Sequence, residues 1–141
     1  MQISPYHSES GGYLFGQVYE SQLVIKVATL PGPGDTRMPR FLKRMKKRGQ
    51  ALLDRIWKAS QGTTILVGEW HTHYESNPEP SPLDIKESAR AFKKNISHLD
   101  FMVVVIVSSK SVVNSWVGVT RGKGLERISR TGYKLWSDKF W

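Results

Sequence analysis

The chain has 141 residues, a length that suits one domain with a core of its own. It contains no cysteine, which excludes disulfides and cysteine-based structural zinc sites. No apolar stretch approaches the roughly 20 residues that span a bilayer, and the first residues have neither the basic start nor the apolar segment of a signal peptide. We therefore expect a single domain over residues 1–141, located in the cytoplasm and without a membrane partner.

The formal net charge of +9 raises nucleic acid, or an acidic protein, as a partner. Net charge alone is weak evidence for such a partner, because many basic proteins bind nothing in particular. The sequence also lacks a Gly-x-x-x-x-Gly-Lys phosphate loop. A basic nucleic-acid-binding module stays open as an alternative that the sequence does not favour.

The N-terminal half predicts a β-hairpin followed by a long helix. Residues 13–19 and 22–30 are rich in β-branched and aromatic side chains, and residues 20–21 form the turn between them. From about residue 39 to 59, apolar side chains recur at three- and four-residue steps, which predicts a helix that Gly62 ends. Its basic side chains are then expected to face outward: Lys43, Arg44, Lys46, Lys47 and Arg48.

The C-terminal half predicts strands around one further helix. The strands are expected at 63–70, at 101–108 and at 112–120, with the second of them central and buried on both faces. The helix is expected at 82–94. The tail from residue 125 predicts one more strand or a short helix, packed down by Trp136, Phe140 and Trp141. The fold class is therefore α/β (α+β), with a mixed β-sheet flanked by two main helices.

One short stretch has the spacing of a metal site. His71 and His73 stand two residues apart on an extended chain, so they point to the same face and can share one ion. Asp84, in the first turn of the following helix, is a third candidate ligand. Two imidazoles and a carboxylate suit zinc and leave a fourth position for water, whose pKa zinc lowers to about 7.

Each part of this pattern also has a purely structural interpretation. The histidine pair can be two unrelated surface residues, and Ser81, Pro82 and Asp84 can simply start a helix as its N-cap, first residue and first-turn acid. Their conjunction at a strand end and the next helix start favours the metal site. Glu75 and Glu79, in the intervening loop, are interpreted as solvated charges.

This spacing resembles the JAMM signature of the JAB/MPN metalloproteases. Residues 71–73, seven intervening residues and residues 81–84 match His-x-His-x(7)-Ser-x-x-Asp. Residues 9–16 resemble the upstream Glu-x-x-Gly-x-Leu-x-Gly segment of that family. The resemblance covers roughly residues 1–120, and one departure from it is Tyr74, where the family often has proline.

The resemblance implies a zinc-dependent isopeptidase or peptidase with a JAB/MPN-like fold. His71, His73 and Asp84 would hold Zn²⁺. Glu9 would act as the general base towards water and then as the acid towards the leaving amine, and Ser81 would stabilise the oxyanion. A hydroxyl at a helix N-terminus sits where negative charge is favoured, which agrees with that last role.

Residues 68–73 and 78–81 are similar to a bacterial subgroup of the family that accompanies ubiquitin-like conjugation enzymes, notably in CBASS anti-phage operons. That similarity implies a protein substrate with an extended C-terminal tail, such as a CBASS nucleotide synthase, conjugated through a ubiquitin-like pathway. It also implies a conjugating enzyme from the same operon as a partner. The alternatives are a deubiquitinase-like enzyme of another bacterial ubiquitin-like operon, a non-catalytic MPN scaffold, and the nucleic-acid-binding module.

Overall fold

The computed structural model describes residues 10–29, 50–94, 99–129 and 132. Within these ranges the strands are β1 (Gly11–Val18), β2 (Leu23–Ala28), β3 (Ile65–His73), β4 (Met102–Ser108), β5 (Trp116–Thr120) and β6 (Glu126–Arg127). The α-helices are α1 (Gln50–Ala59) and α2 (Pro82–Lys93). Neither of these helices is long and apolar enough to cross a bilayer.

The six strands form one mixed sheet in the order β2-β1-β3-β4-β5-β6. β3 and β4 run parallel, whereas every other neighbouring pair in this sheet is antiparallel. Helix α2 lies between β3 and β4 in the chain and makes the crossover that a parallel pair requires. The predicted α+β class, with a mixed sheet and two main helices, is confirmed.

β1 and β2 form the predicted hairpin. The antiparallel ladder runs to the pair Val18 and Leu23. The N–H of Tyr19 donates to the carbonyl of Gln22 at 2.8 Å, so residues 20–21 turn the chain as expected. This hairpin leaves β2 at one edge of the sheet and brings β1 beside β3.

β3 extends further than the sequence predicts. The strand expected over 63–70 runs from Ile65 to His73, so both histidines lie inside the strand and not after it. The parallel ladder with β4 explains the difference, because its last pair joins His73 to Ser108. The carboxyl ends of β3 and β4 therefore lie together at one edge of the sheet.

Alternate residues of β4 contribute to two apolar clusters. Val104 and Ile106 pack with Ala91 of α2, whereas Val103 packs with Leu14 on the other face. Val104 and Ile106 are fully buried. The expectation of a central strand covered on both faces is confirmed, and the face beneath α2 is the one that continues into the histidines.

Only the C-terminal part of the helix predicted over residues 39–59 lies within the described residues. There, α1 is followed by a turn that stops at Gly62, as predicted. Gly62 has a φ of 82°, and its N–H donates to the carbonyl of Trp57 at 2.8 Å, which satisfies an end carbonyl of the helix. The basic residues predicted to face outward lie outside the described residues: Lys43, Arg44, Lys46, Lys47 and Arg48.

The segment after β4 differs from its prediction. The sequence predicts one strand over 112–120, but Val112–Asn114 forms a 3-10 turn and β5 begins at Trp116. The β-branched composition of the turn suggested a strand, yet Val112 and Val113 are exposed and pair with no neighbour in the described sheet. In the tail β6 is the predicted extra strand, and the aromatic anchors lie outside the described residues: Trp136, Phe140 and Trp141.

Gly68 allows β3 and β4 to approach closely. A Cβ at this position would lie 2.0 Å from the carbonyl oxygen of Val103, far inside any real contact. The obstructing atom belongs to the backbone of a central strand, so it cannot move aside as the end of a flexible side chain can. Gly68 is thus required by the same parallel ladder that positions the histidines.

We expect Gly68→Ala to lower the free energy of unfolding by about 3 kcal/mol or more, the upper end of overpacking costs. Urea unfolding against wild type measures it. Gly124→Ala is the control, because a Cβ there meets nothing within 4 Å while φ is 62°, so its cost reports backbone strain alone, about 1–2 kcal/mol. Equal destabilisation by the two substitutions would contradict the steric explanation.

Candidate metal centre

Three side chains from two elements converge at the carboxyl end of β3. Asp84 Oδ1 lies 3.2 Å from His71 Nε2, and Asp84 Oδ2 lies 3.1 Å from His73 Nε2. Each residue offers one ligand atom, and these atoms all lie within 4.8 Å of one another. The structure thus brings together the three residues that the sequence pattern singles out as metal ligands.

Strand alternation directs both histidines towards α2. His71 pairs with Ile106 across the parallel ladder, and Ile106 packs against Ala91 of the helix. Thr72, between the two histidines, points to the other face. His71 is 1% exposed and His73 is 5% exposed, so both imidazoles lie in a poorly hydrated environment.

Asp84 is fixed by the start of α2. The Ser81 hydroxyl oxygen accepts a hydrogen bond from the Asp84 N–H at 3.0 Å, and the Ser81 N–H donates to Asp84 Oδ2 at 2.8 Å. This reciprocal pair is a capping box, with Pro82 at the first helical position. The predicted N-cap is confirmed, and the cap holds the carboxylate of Asp84 towards the histidines.

The hydroxyl of Ser81 remains able to donate. The cap uses its oxygen as an acceptor, so it does not consume the hydroxyl hydrogen. The side chain is partly buried at the N-terminus of α2, where the helix dipole favours negative charge. A hydroxyl in this position can donate to an oxygen that develops negative charge during a reaction.

Asp84 carries a negative charge over the ordinary pH range. Burial alone would raise its pKa, but the two nearby imidazoles and the Ser81 N–H outweigh that effect and hold the pKa of Asp84 well below its usual value. Metal ligands of this type bind in their deprotonated form. Asp84 therefore needs no proton release before it ligates a cation.

His71 fits a metal ligand better than a hydrogen-bonded core residue. Neither of its ring nitrogens has a hydrogen-bond partner among the described residues, although both are buried. Its Nε2 lies 3.2 Å from Asp84 Oδ1, a contact that is an ion pair only when the imidazole is protonated. A buried polar group without a hydrogen bond lowers the free energy of unfolding by about 1–3 kcal/mol. A cation shared by the imidazoles and the carboxylate would satisfy them together, and this donor set is one that zinc accepts.

The start of β1 is joined to the histidine pair. The Ser10 N–H donates to Thr72 Oγ1 at 2.9 Å, and the Thr72 N–H donates to the Ser10 carbonyl at 2.9 Å. Glu9, the general base implied by the sequence resemblance, lies outside the described residues. In the sequence, however, Glu9 directly precedes Ser10, and Ser10 is hydrogen-bonded to Thr72, the residue between the two histidines.

Glu69 is a buried acid that the sequence analysis overlooked. It precedes His71 by two residues on the same face of β3 and is only 4% exposed. Burial, and then the charges of Asp84 and Glu87, raise the pKa of Glu69 from 4.5 to about 8. The alternation Glu69-x-His71-x-His73 was the signal available in the sequence, because it continues the buried face by one more residue.

The two acids of the following loop differ from each other. Glu79 is exposed, as expected of a solvated loop charge. Glu75 is only partly exposed, and its Oε1 lies 3.7 Å from His73 Nδ1. The interpretation as a solvated charge is therefore incomplete for Glu75, which contacts a candidate metal ligand.

Comparison with known proteins decides the family. Residues 4–118 match the family described as prokaryotic homologs of the JAB domain. The chain belongs to this family. The JAB/MPN resemblance drawn from the two sequence motifs is thereby confirmed, and the matched region contains both motifs.

Three relatives of this JAB-domain chain carry the name CD-NTase/cGAS isopeptidase. The chain is 38% identical to the relative from Pseudomonas aeruginosa over 106 residues, 34% to that from Escherichia coli over 123 residues, and 33% to that from Vibrio cholerae over 110 residues. These stretches cover 75%, 87% and 78% of this chain. They span 67%, 74% and 66% of the respective relatives, so each relative is longer than the part matched here.

A solved structure shares the fold. The solution structure of a protein from Desulfitobacterium hafniense superposes with a TM-score of 0.56 over 86% of this chain and 75% of that one. The two sequences are 14% identical, so the likeness concerns the arrangement of the elements and not their chemistry. It agrees with the mixed sheet and two helices described above.

We expect Glu69→Gln to stabilise the metal-free protein increasingly as the pH rises. The folded-state pKa of about 8 lies above 4.5, so the stability associated with neutral Glu69 is present below about pH 4.5 and is lost as the pH rises towards 8. Glutamine stays neutral throughout. Melting temperatures measured with a chelator from about pH 5 to 8 should therefore fall more steeply for wild type than for the variant.

Glu79→Gln, a change at an exposed acid, is the matched control for that pH series. Its melting curve should follow wild type at each pH. The chelator is needed because a bound cation would itself alter the titration of a nearby carboxyl. Parallel pH profiles for wild type and Glu69→Gln would contradict the prediction.

Proposed function

We propose that this protein is a zinc-dependent isopeptidase that removes a conjugate made through a ubiquitin-like pathway. It hydrolyses the amide bond that follows the C-terminus of the conjugated protein. The proposal rests on the convergence of His71, His73 and Asp84, whose ligand atoms lie within 4.8 Å of one another. The isopeptidase name of the three relatives supports the same reaction class.

The residues proposed to hold zinc are His71 and His73, through Nε2, and Asp84, through its carboxylate. When bound, zinc supplies Lewis acidity and makes a water molecule acidic enough to act as a nucleophile near neutral pH. The capping box fixes Asp84 before any ligand arrives, so the site loses little conformational freedom on binding.

Two further residues are proposed to handle the proton and the developing charge. Glu9 takes a proton from the attacking water and passes it to the amine that leaves, which lets one carboxyl serve as base and then as acid. Ser81 donates its hydroxyl hydrogen to the carbonyl oxygen as it becomes an oxyanion. The hydrogen bonds between Ser10 and Thr72 support the first role, because they tie the neighbour of Glu9 to the histidine pair.

The proposed substrate is a protein with an extended C-terminal tail. The names of the relatives couple an isopeptidase to a CD-NTase/cGAS protein, so a nucleotide synthase of a CBASS operon is the substrate we favour for this chain. A conjugating enzyme from the same operon would supply the bond that is cut. We propose a cytoplasmic location for the reaction, because the conjugating enzyme would act there.

Other functions receive less support. A non-catalytic MPN scaffold has no need for ligands, whereas this chain keeps two histidines and a carboxylate in contact. A deubiquitinase-like enzyme of another bacterial operon would use the same site and differ only in its partner. Nucleic-acid binding is argued from net charge alone, and the basic segment at residues 43–48 lies outside the described residues.

We expect wild-type protein to hold one zinc ion per chain and His73→Ala to lose it, because two remaining ligands no longer enclose the ion. Metal content after dialysis, measured by mass spectrometry, gives the stoichiometry. Glu79→Gln should keep the metal, since its side chain is exposed in the loop. Equal zinc content in wild type and His73→Ala would show that these residues do not form the zinc site.

The test of catalysis is single-turnover cleavage of a reporter protein fused to the C-terminal tail of the synthase. Zinc-loaded Glu9→Gln should cut at least about a hundredfold more slowly than wild type, the usual scale for losing general acid–base help. It should hold zinc normally, because Glu9 is not among the proposed ligands. A rate within about threefold of wild type would exclude Glu9 from the mechanism.

The same reporter tests substrate choice. Unfolded casein has many peptide bonds but no matching tail, so it should be cut far more slowly than the fusion. Equal cleavage of the two would leave the zinc chemistry standing and overturn the proposed tail specificity.

A further inference from the structure

Ser108 is a buried serine whose hydroxyl serves three groups. It is fully buried at the last residue of β4, paired with His73 across the parallel ladder. Its hydroxyl donates to the carbonyl of Glu75 and accepts from the N–H groups of Lys110, at 3.3 Å, and Ser111, at 2.9 Å. The side chain therefore ties the chain that follows β3 to the chain that follows β4.

Further contacts join the same two segments. The N–H and the hydroxyl of Ser109 both donate to the carbonyl of His73, at 3.0 Å and 3.1 Å. One residue on, the ammonium of Lys110 lies 4.8 Å from the centre of the Tyr74 ring, a cation–π distance. Each residue from His73 to Glu75 is thus in contact with one of residues 108–110, at the end of β4 and the start of the following loop.

Glu75 lies on the outer side of the His73 ring. Its Oε1 is 3.7 Å from Nδ1, while Nε2, the other ring nitrogen, faces Asp84 at 3.1 Å. A metal-bound histidine usually directs its second ring nitrogen to a carboxylate or carbonyl, which fixes the tautomer and the ring orientation. Glu75 occupies the place of such an outer partner, slightly beyond hydrogen-bond distance.

We propose that Ser108 and Glu75 are positioning residues for the metal centre: Ser108 fixes the main chain of Glu75, and the Glu75 carboxylate orients the imidazole of His73. The inference rests on the proposed metal site and adds residues that do not ligate. In this arrangement Glu75 contacts the outer ring nitrogen of His73, and the buried Ser108 affects metal affinity through Glu75.

A purely structural role for Ser108 makes a different prediction. If the serine only anchors the loop, its removal lowers stability and leaves the metal affinity of the folded protein unchanged. If it acts through Glu75, its removal weakens metal binding by the same factor as removal of the Glu75 carboxylate. The partly exposed Glu75 can be changed without touching the core, so it provides the variant that is safe for folding.

The experiment measures zinc affinity by competition with a chromophoric chelator, and the visible absorption of the Co²⁺-substituted protein. Glu75→Ala should bind zinc about 10- to 100-fold more weakly than wild type and alter the cobalt spectrum. Glu75→Gln keeps an oxygen acceptor for the ring N–H and should recover part of the affinity. Ser111→Ala, which keeps the N–H that donates to Ser108, is the matched serine control and should bind as wild type does.

A double-mutant cycle tests the coupling. Ser108→Ala and Ser108→Ala/Glu75→Ala should bind zinc as weakly as Glu75→Ala, because both residues act on one contact. Additive losses would overturn the action of Ser108 through Glu75. Should Ser108→Ala fail to fold, Glu75→Ala and Glu75→Gln still decide whether Glu75 orients the ring.

The outcomes separate this inference from the proposed function. Wild-type affinity in Glu75→Ala, with an unchanged cobalt spectrum, would overturn the inference and leave the zinc enzyme intact. Wild-type protein that holds no zinc would overturn both. The readout is metal binding, so failure to cut any chosen peptide would not bear on it.

Discussion

The site depends on the carboxylate of Asp84, which serves two requirements at once. It accepts the Ser81 N–H at the start of α2, and its two oxygens face the two histidines of β3. The helix start and the strand end are thereby held together through one side chain. A change that disturbs the cap would also displace a proposed metal ligand, so local helix stability and metal binding are not independent here.

Buried polar and charged groups around the site lower the stability of the metal-free protein. The ring nitrogens of His71 have no hydrogen-bond partner among the described residues and lie beside an ionised Asp84, while Glu69 is buried nearby with its pKa raised to about 8. Groups of this kind reduce stability unless a partner satisfies them. A divalent cation would satisfy the nitrogens of His71 and offset the repulsion between the acids, so we interpret this arrangement as a site built for an ion.

The sequence was sufficient to predict features that depend on local spacing. The convergence of His71, His73 and Asp84, which we propose as ligands, and the cap at Ser81 follow from alternation along a strand and from helix-start chemistry. Glu69 lies on the same alternation and could have been found from it, whereas Ser108 could not, because its burial depends on which distant segments cover it. Val112 and Val113 are a case in which the sequence predicts too much. Their β-branched side chains favour a strand, but no strand of the described sheet pairs with them.

The hydrogen bonds between Ser10 and Thr72 join residues that are 62 positions apart in the chain. Contacts of such long sequence separation require a large loop to close, so they form slowly and together with the rest of the sheet. A nascent or partly unfolded chain can present the two neighbouring histidines, but it cannot yet bring the segment after Glu9 beside them. For the mechanism proposed above, hydrolytic activity therefore requires the completed fold, and a partly folded chain is not yet a protease.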